Sequence, residues 1–237
     1  MAAVHGKGSA VLFDENDLSS FFNQYNTSRQ IQAVNTTTFG NDDKNYIAGV
    51  EGGTISVQGL FDGDTGAVDA VLDGSIASEA IITLCPQGYA TIGNKAVMAK
   101  GEHVSYQIRS TTTDAVRITA GGTVDGGVRT GGVILQPLEA ETTTTNNSSH
   151  DSSASSANGG VGHLHVTAFS GTNGVVKIQH SANDSTWADL ITFSTVTGTT
   201  AERSLVTGTV NRYLRFAITT DNFTSMTVFA SFARNRR

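Results

Sequence analysis

The sequence predicts a mainly β fold: a β-sandwich with a short flanking helix, then a second, antiparallel β-sandwich at the C-terminal end. Three observations carry this. Charged residues make up only 15% of the 237 residues, and 26 glycines against 2 prolines supply turn positions, a balance that suits sheets over helical bundles. Residues 54–61 alternate cleanly, with Ile55, Val57, Gly59 and Phe61 on one face and Thr54, Ser56, Gln58 and Leu60 on the other. From Val161 onward, short apolar runs recur at regular intervals between Gly and Asn/Asp turns.

In chain order, residues 1–10 are small and polar and read as an arm. A brief strand at 11–13 follows. Asp14 then suits a helix N-cap, with Asp17 in the first turn. Leu18, Phe21, Phe22 and Tyr25 fall at i, i+3, i+4 and i+7, which predicts a short helix over 16–25. Ile31, Ala33 and the Thr36, Thr37, Thr38 run read as strand, and a long polar loop precedes the alternating strand. A second short helix is expected around 67–72, where Ala67, Val68, Val71 and Leu72 share a side. Strands are expected at 80–84, 97–99, 103–108, 115–119 and 132–135. Residues 143–160 have almost nothing to bury and read as a Ser/Thr/Asn-rich linker, with a Thr-rich edge strand over the first few residues of the stretch from Glu141 as the alternative. That divides the chain into a first domain at 1–142 and a second at 161–237, the latter with a core of Trp187, Leu190, Phe193, Leu214, Phe216 and Phe229.

The formal charge of −6 lacks the basic footprint of a nucleic-acid binder. The single cysteine, Cys85, permits no internal disulfide and reads as a small buried apolar residue. No basic patch followed by an apolar run opens the chain, so no signal peptide is expected, and no apolar run approaches the ~18 residues of a membrane span.

The residues do not assemble a catalytic constellation. His163 and His165 put two imidazoles on one strand face, but zinc requires further ligands, and His150 and Asp151 sit in the expected linker. Partly exposed strand histidines are the plainer reading. Asp42, Asp43, Asp62 and Asp64 lie in turns without the spacing of an EF-hand loop. There is no Gly-x-Ser-x-Gly elbow and no phosphate-binding Gly-Lys-Ser/Thr loop. Catalytic, cofactor-binding and metal-binding residues are therefore not expected, and neither is an enzyme. Trp187 reads as a buried sandwich residue, with a sugar-stacking aromatic as its alternative.

The N-terminal part resembles the major tail (tail tube) proteins of long, non-contractile-tailed bacteriophages. The resemblance covers about residues 9–142. It is carried by the helix expected over 16–25, by TTTFGNDDKNYIAG at 36–49, by GGTISVQGLFDG at 52–63, by the helix at 67–72 and by VRTGGVILQPLEAET at 128–142. Residues 161–237, with VKIQHSANDSTWADL and TGTVNRYLRFAIT, look like β modules appended to phage virion proteins.

What the resemblance implies is a structural virion protein, assembled in the host cytoplasm. It would form homohexameric rings that stack into the tail tube, the conduit for genome delivery. Its partners would be copies of itself and other phage tail proteins. Genomic DNA would pass through the lumen without specific binding, and no membrane would be involved. Contacts between subunits would fall on Thr36, Thr37, Thr38, Phe39, Asn45, Tyr46 and Ile47, and residues 161–237 would lie on the tube exterior, the alternative being that residues 139–237 supply strands to the same tube wall with no separate domain. A capsid decoration or head-fibre protein is the alternative, and a carbohydrate-binding module using Trp187 and Tyr213 is a third reading.

Overall fold

The computed structural model describes residues 5–236, with Asp221 described by its backbone alone. A 3-10 turn at Gly6–Gly8 leads into β1 (Ala10–Phe13), β2 (Asn16–Asp17), β3 (Phe22–Asn35) and β4 (Tyr46–Leu60). The helix α1 (Val68–Gly74) precedes β5 (Glu79–Cys85), β6 (Lys95–Thr111) and β7 (Asp114–Glu141). Then come β8 (Thr145–Asn146), β9 (His150–Asp151), β10 (Gly160–Ser181), β11 (Ala188–Thr192), β12 (Thr200–Val206) and β13 (Tyr213–Arg234). The fold is mainly β, as expected. Of the N-terminal arm expected at 1–10, residues 1–4 lie outside the described residues, and the remainder enters the 3-10 turn and β1.

The helix expected over 16–25 does not form. Asp14 turns the chain with a left-handed backbone at φ 48°, and β2 returns along β1, pairing Leu12 with Asp17. The Leu18 amide donates to the Val11 carbonyl at 3.0 Å, and the Val11 amide donates to Ser19 Oγ at 3.0 Å. A helix this short is marginal in water, so strand partners that satisfy the same backbone groups prevail. The second expected helix is α1, with Ala67 at its N-cap and Val68 and Leu72 buried.

The chain divides into two compact units. One takes residues up to 20, 81–98 and 129 onward; the other takes 21–80 and 99–128. In the first unit, β10 and β13 are 22-residue antiparallel partners. Register shifts between Val166 and Ala168, and three more between Ser170 and Val176, mark bulges, which bend strands. Residues 160–166 of β10 also pair with β12, and residues 177–180 with β11. Leu164, Val166, Val176, Ile178, Phe193, Leu214 and Phe216 fill one core of this unit. A second cluster joins Leu12 and Cys85 to Met98, Ile134, Val161 and Phe229. Burial pushes the Cys85 thiol up to about 12, as suits an inert core residue.

The linker expected at 143–160 belongs to this first unit. β8 and β9 pair with β13, the Ser152 amide donates to the Arg212 carbonyl, and Ser156 bridges Val210. The segment has no large apolar side chain to bury, only the exposed Ala154 and Ala157, but its backbone groups are satisfied by a neighbouring strand. The expected boundary between 142 and 161 therefore falls inside one unit, and β13 also pairs directly with β7 from Val133 to Glu141.

In the second unit, β4 pairs with β3 and, over residues 54–60, with residues 117–123 of β7. β6 neighbours β7. Close approach is built in: a Cβ at Gly101 would stand 2.1 Å from the Thr123 carbonyl, and one at Gly59 would stand 2.2 Å from the Phe21 carbonyl. Ile55, Val57, Ile118 and Ala120 are buried with α1's Val68 and Leu72.

Candidate functional site

The feature that most needs a partner is the far half of the β3–β4 hairpin. Residues 54–60 of β4 lie between β3 and β7, but residues 46–53 are in register with β3 alone. This ribbon exposes Ile31, Val34, Tyr46, Ile47 and Val50, and Phe39 is fully exposed at its tip. Val34 faces Ile47 across the ribbon and Asn35 faces Tyr46. A two-stranded ribbon is marginal by itself, and large apolar groups exposed on both of its faces, Ile47 with Val34 on one and Tyr46 on the other, mark an interaction surface.

The tip is specifically folded. The Thr36 amide donates to the Asn45 carbonyl at 2.9 Å, and the Asn45 amide donates to Thr37 Oγ1 at 2.9 Å. The Thr38 amide and hydroxyl both donate to Asn41 Oδ1, at 3.0 and 2.7 Å. The threonines thus close the loop, while Phe39, Tyr46 and Ile47 are left facing outward. Nearer the base, Glu51 takes a two-pronged ion pair from Arg29, at 2.5 and 2.9 Å. All seven residues expected to make subunit contacts lie at this tip. Ile31, Val34 and Val50 extend the patch. The strand alternation around them hinted at burial on one face and gave no sign that the face is left open.

His163 and His165 are fully buried, and not the partly exposed pair expected. They are organised around a hydroxyl. His165 Nδ1 lies 2.6 Å from the Asp14 carbonyl, which can only accept, so His165 carries its proton there. Its Nε2 must then accept from Thr83 Oγ1, at 2.8 Å. Thr83, having given its proton away, accepts from His163 Nδ1 at 3.0 Å. Among the described residues His163 Nε2 is left as a buried acceptor without a partner, and the Ser231 hydroxyl, on the residue opposite it on β13, is likewise buried and unpartnered. Burial holds both imidazoles well below the ordinary 6.5, His165 at about 4, with His165 and Arg203 adding to the effect on His163. Among the described residues no group of three or more His, Cys, Asp or Glu converges to hold a metal.

Trp187 is half-buried and stands outside the main core, with the Arg215 guanidinium 4.2 Å from its ring centroid. The reading as a core tryptophan is corrected: the Asn183 turn before it leaves the ring at the surface, where the cation covers a face. Tyr213 has Arg212 over its ring at 5.0 Å.

No family model matches the chain, and no curated protein matches it. Among solved structures, it is similar to a chain of the virion of a native gene transfer agent particle, at 16% identity and a TM-score of 0.41, over 53% of this chain and 97% of that one. A chain from the tail of an empty gene transfer agent particle with C6 symmetry gives 14% identity and 0.40, with the same coverage. The SPP1 Dit protein, described as a hub adsorption apparatus in phages that infect Gram-positive bacteria, gives 11% identity and 0.37, over 95% of this chain and 99% of that one.

Proposed function

We propose that this chain is a structural virion protein of a phage tail, and that its copies assemble into hexameric rings stacked as a tail tube. The observation that carries the proposal is the exposed apolar ribbon of β3 and β4, from Ile31 and Val34 through Phe39 to Tyr46, Ile47 and Val50. Such a ribbon is costly in water and stable against a neighbour, and a second copy of the chain supplies one in every ring and every stack. Among the described residues β3 pairs with β4 alone, so its outer edge also offers unpaired backbone groups to an adjacent subunit.

The resemblance of residues 9–142 to tail tube proteins gives the assembly its form. The net charge of −6 suits a conduit, because an acidic wall does not hold phosphates and DNA slides past without specific binding. Placement of residues 161–237 on the exterior belongs to the same proposal.

Electron microscopy of the purified full-length chain at high concentration tests it. Stacked rings with six-fold symmetry are expected. A population of isolated monomers or trimers at every concentration would reject the tube and favour a capsid decoration protein.

A further inference from the structure

A pocket of about 200 Å³ opens in the first unit. Three cation-forming side chains line it: Lys95 at the start of β6, His150 in β9 and Arg234 at the end of β13. The Ser152 hydroxyl joins them, and the buried side chains of Leu214 and Phe232 form an apolar floor. Among the described residues no carboxylate lines the pocket. The nearest candidate by sequence, Asp151, is held by Arg212 in a two-pronged pair at 2.6 and 2.5 Å. Among the described residues Lys95 makes no ion pair.

Arg234 is fixed before any ligand arrives. Its Nη1 donates to the Val210 carbonyl at 2.7 Å and to Ser156 Oγ at 3.0 Å, and its Nη2 donates to the Asn211 carbonyl at 2.6 Å. Its Nε is buried and has no partner among the described residues. His150 is held in register opposite Leu214. The three groups sense one another: burial first, then Lys95 and, more weakly, Arg234 hold the His150 imidazole below its ordinary range, with Asp151 pulling the other way. Like charges gathered in a concave, partly apolar site, in a chain that is acidic overall, are relieved by a bound anion.

We infer that this pocket binds an oxyanion carried on a compact body, a phosphate ester or a sugar carboxylate, through Lys95, His150 and Ser152, with the fixed positive charge of the Arg234 guanidinium beside them. Charge-assisted donors would reach the oxyanion from several elements, and Leu214 and Phe232 would take the apolar part of the ligand.

The test is calorimetric titration of the full-length chain with glucose 6-phosphate, glucuronate and glucose, repeated on Lys95→Gln. The lysine is exposed, and thermal unfolding of the variant checks that the fold is unchanged. Saturable binding of glucose 6-phosphate or of glucuronate, weakened about tenfold in Lys95→Gln, is expected, and the tighter of the two identifies the group. Lys177→Gln, which alters a lysine paired with Asp189 outside the pocket, should bind as the unaltered chain does. Equal binding of glucose, equal affinity in Lys95→Gln, or no saturation by about 10 mM of either anion would overturn the inference.

Discussion

Thr83 Oγ1 donates to His165 Nε2 at 2.8 Å, and this bond fixes the direction of every proton in a buried network that joins β5 to β10. The Asp14 carbonyl sets the sense, and His163 ends the chain. Thr83→Val keeps the shape and removes the hydroxyl. It strands two buried groups, the His165 Nε2 acceptor and the His163 Nδ1 donor. Each such group costs about 1–3 kcal/mol, so a loss of roughly 2–5 kcal/mol is expected in denaturant unfolding. Thr83→Ser, which keeps the hydroxyl, should recover most of it. A Val variant as stable as the unaltered chain would show that the network has little net worth.

The same network makes stability depend on acid. Burial holds His163 and His165 below the 6.5 of an unfolded imidazole, His165 to about 4. Below pH 6.5 the unfolded chain therefore takes up two protons that the folded chain refuses, and stability falls with pH. Asp14 opposes this. Burial, against the Ile81 amide bond and aided by Glu15, raises its carboxyl from 3.8 to about 6, so between those values the folded chain holds a proton that the unfolded chain has lost. From pH 6 to 4 these three groups together leave the unfolded state with a net excess of about one proton, a contribution of about 1.4 kcal/mol lost per pH unit, to which the likewise lowered His103, His150 and His180 add. Asp14→Asn keeps the left-handed turn and the acceptor for the Ile81 amide. It should raise stability at pH 7, where the partly buried carboxylate is unfavourable, and should steepen the acid slope by about one proton, about 1.4 kcal/mol per pH unit. Urea unfolding of both chains across pH 4.5–7, on the order of the window set by these groups, measures the two slopes.

Much of the fold was legible because backbone pattern and burial agree. Residues 54–60 alternate and are flanked by β3 and β7, so β4 reads directly from its side chains. The α1 stripe of Val68 and Leu72 is equally plain. Residues 16–25 misled because Leu18, Phe21, Phe22 and Tyr25 fit a helical face as well as a bent strand. The choice was made by the Val11 backbone, whose pairing is not local. Residues 143–160 misled for the opposite reason: they lack large apolar side chains, yet their backbone bonds to β13 anchor them. In the candidate site, the threonine-rich loop stood out by composition. The open faces of the ribbon did not, because exposure depends on where β7 parts from β4, at Thr123 opposite Thr54, which no local pattern records. The Lys95, His150 and Arg234 pocket gathers residues from three distant stretches, none notable alone.

Residues 159–237 cannot be removed without harm to the rest of the first unit. Val161, Phe229 and Ala233 pack with Leu12, Cys85, Met98 and Ile134 in one buried cluster, and β13 pairs with β7 from Val133 to Glu141. A chain ending at residue 158 would expose that cluster. It should be insoluble, or should show lost near-ultraviolet circular dichroism with a noncooperative melt. A truncated chain that melts cooperatively and still forms tubes would show that residues 1–158 fold alone and that the appended sandwich is dispensable.

The ribbon's apolar side chains should matter for assembly and not for the single chain. Phe39, Tyr46 and Ile47 are exposed, so replacing Phe39 and Ile47 with serine removes almost no contact within the subunit. Thermal stability of the dispersed chain should stay within about 0.5 kcal/mol for each substitution. Each lost apolar contact in an interface costs about 1.5–3 kcal/mol, and a ring repeats that loss at every subunit boundary. Phe39→Ser with Ile47→Ser should therefore abolish sedimenting assemblies at concentrations where the unaltered chain forms them. Thr37→Val probes the loop's shape, since it removes the acceptor of the Asn45 amide, and it should weaken assembly by a smaller factor. Undiminished assembly in the double serine variant would remove this ribbon from the subunit interface.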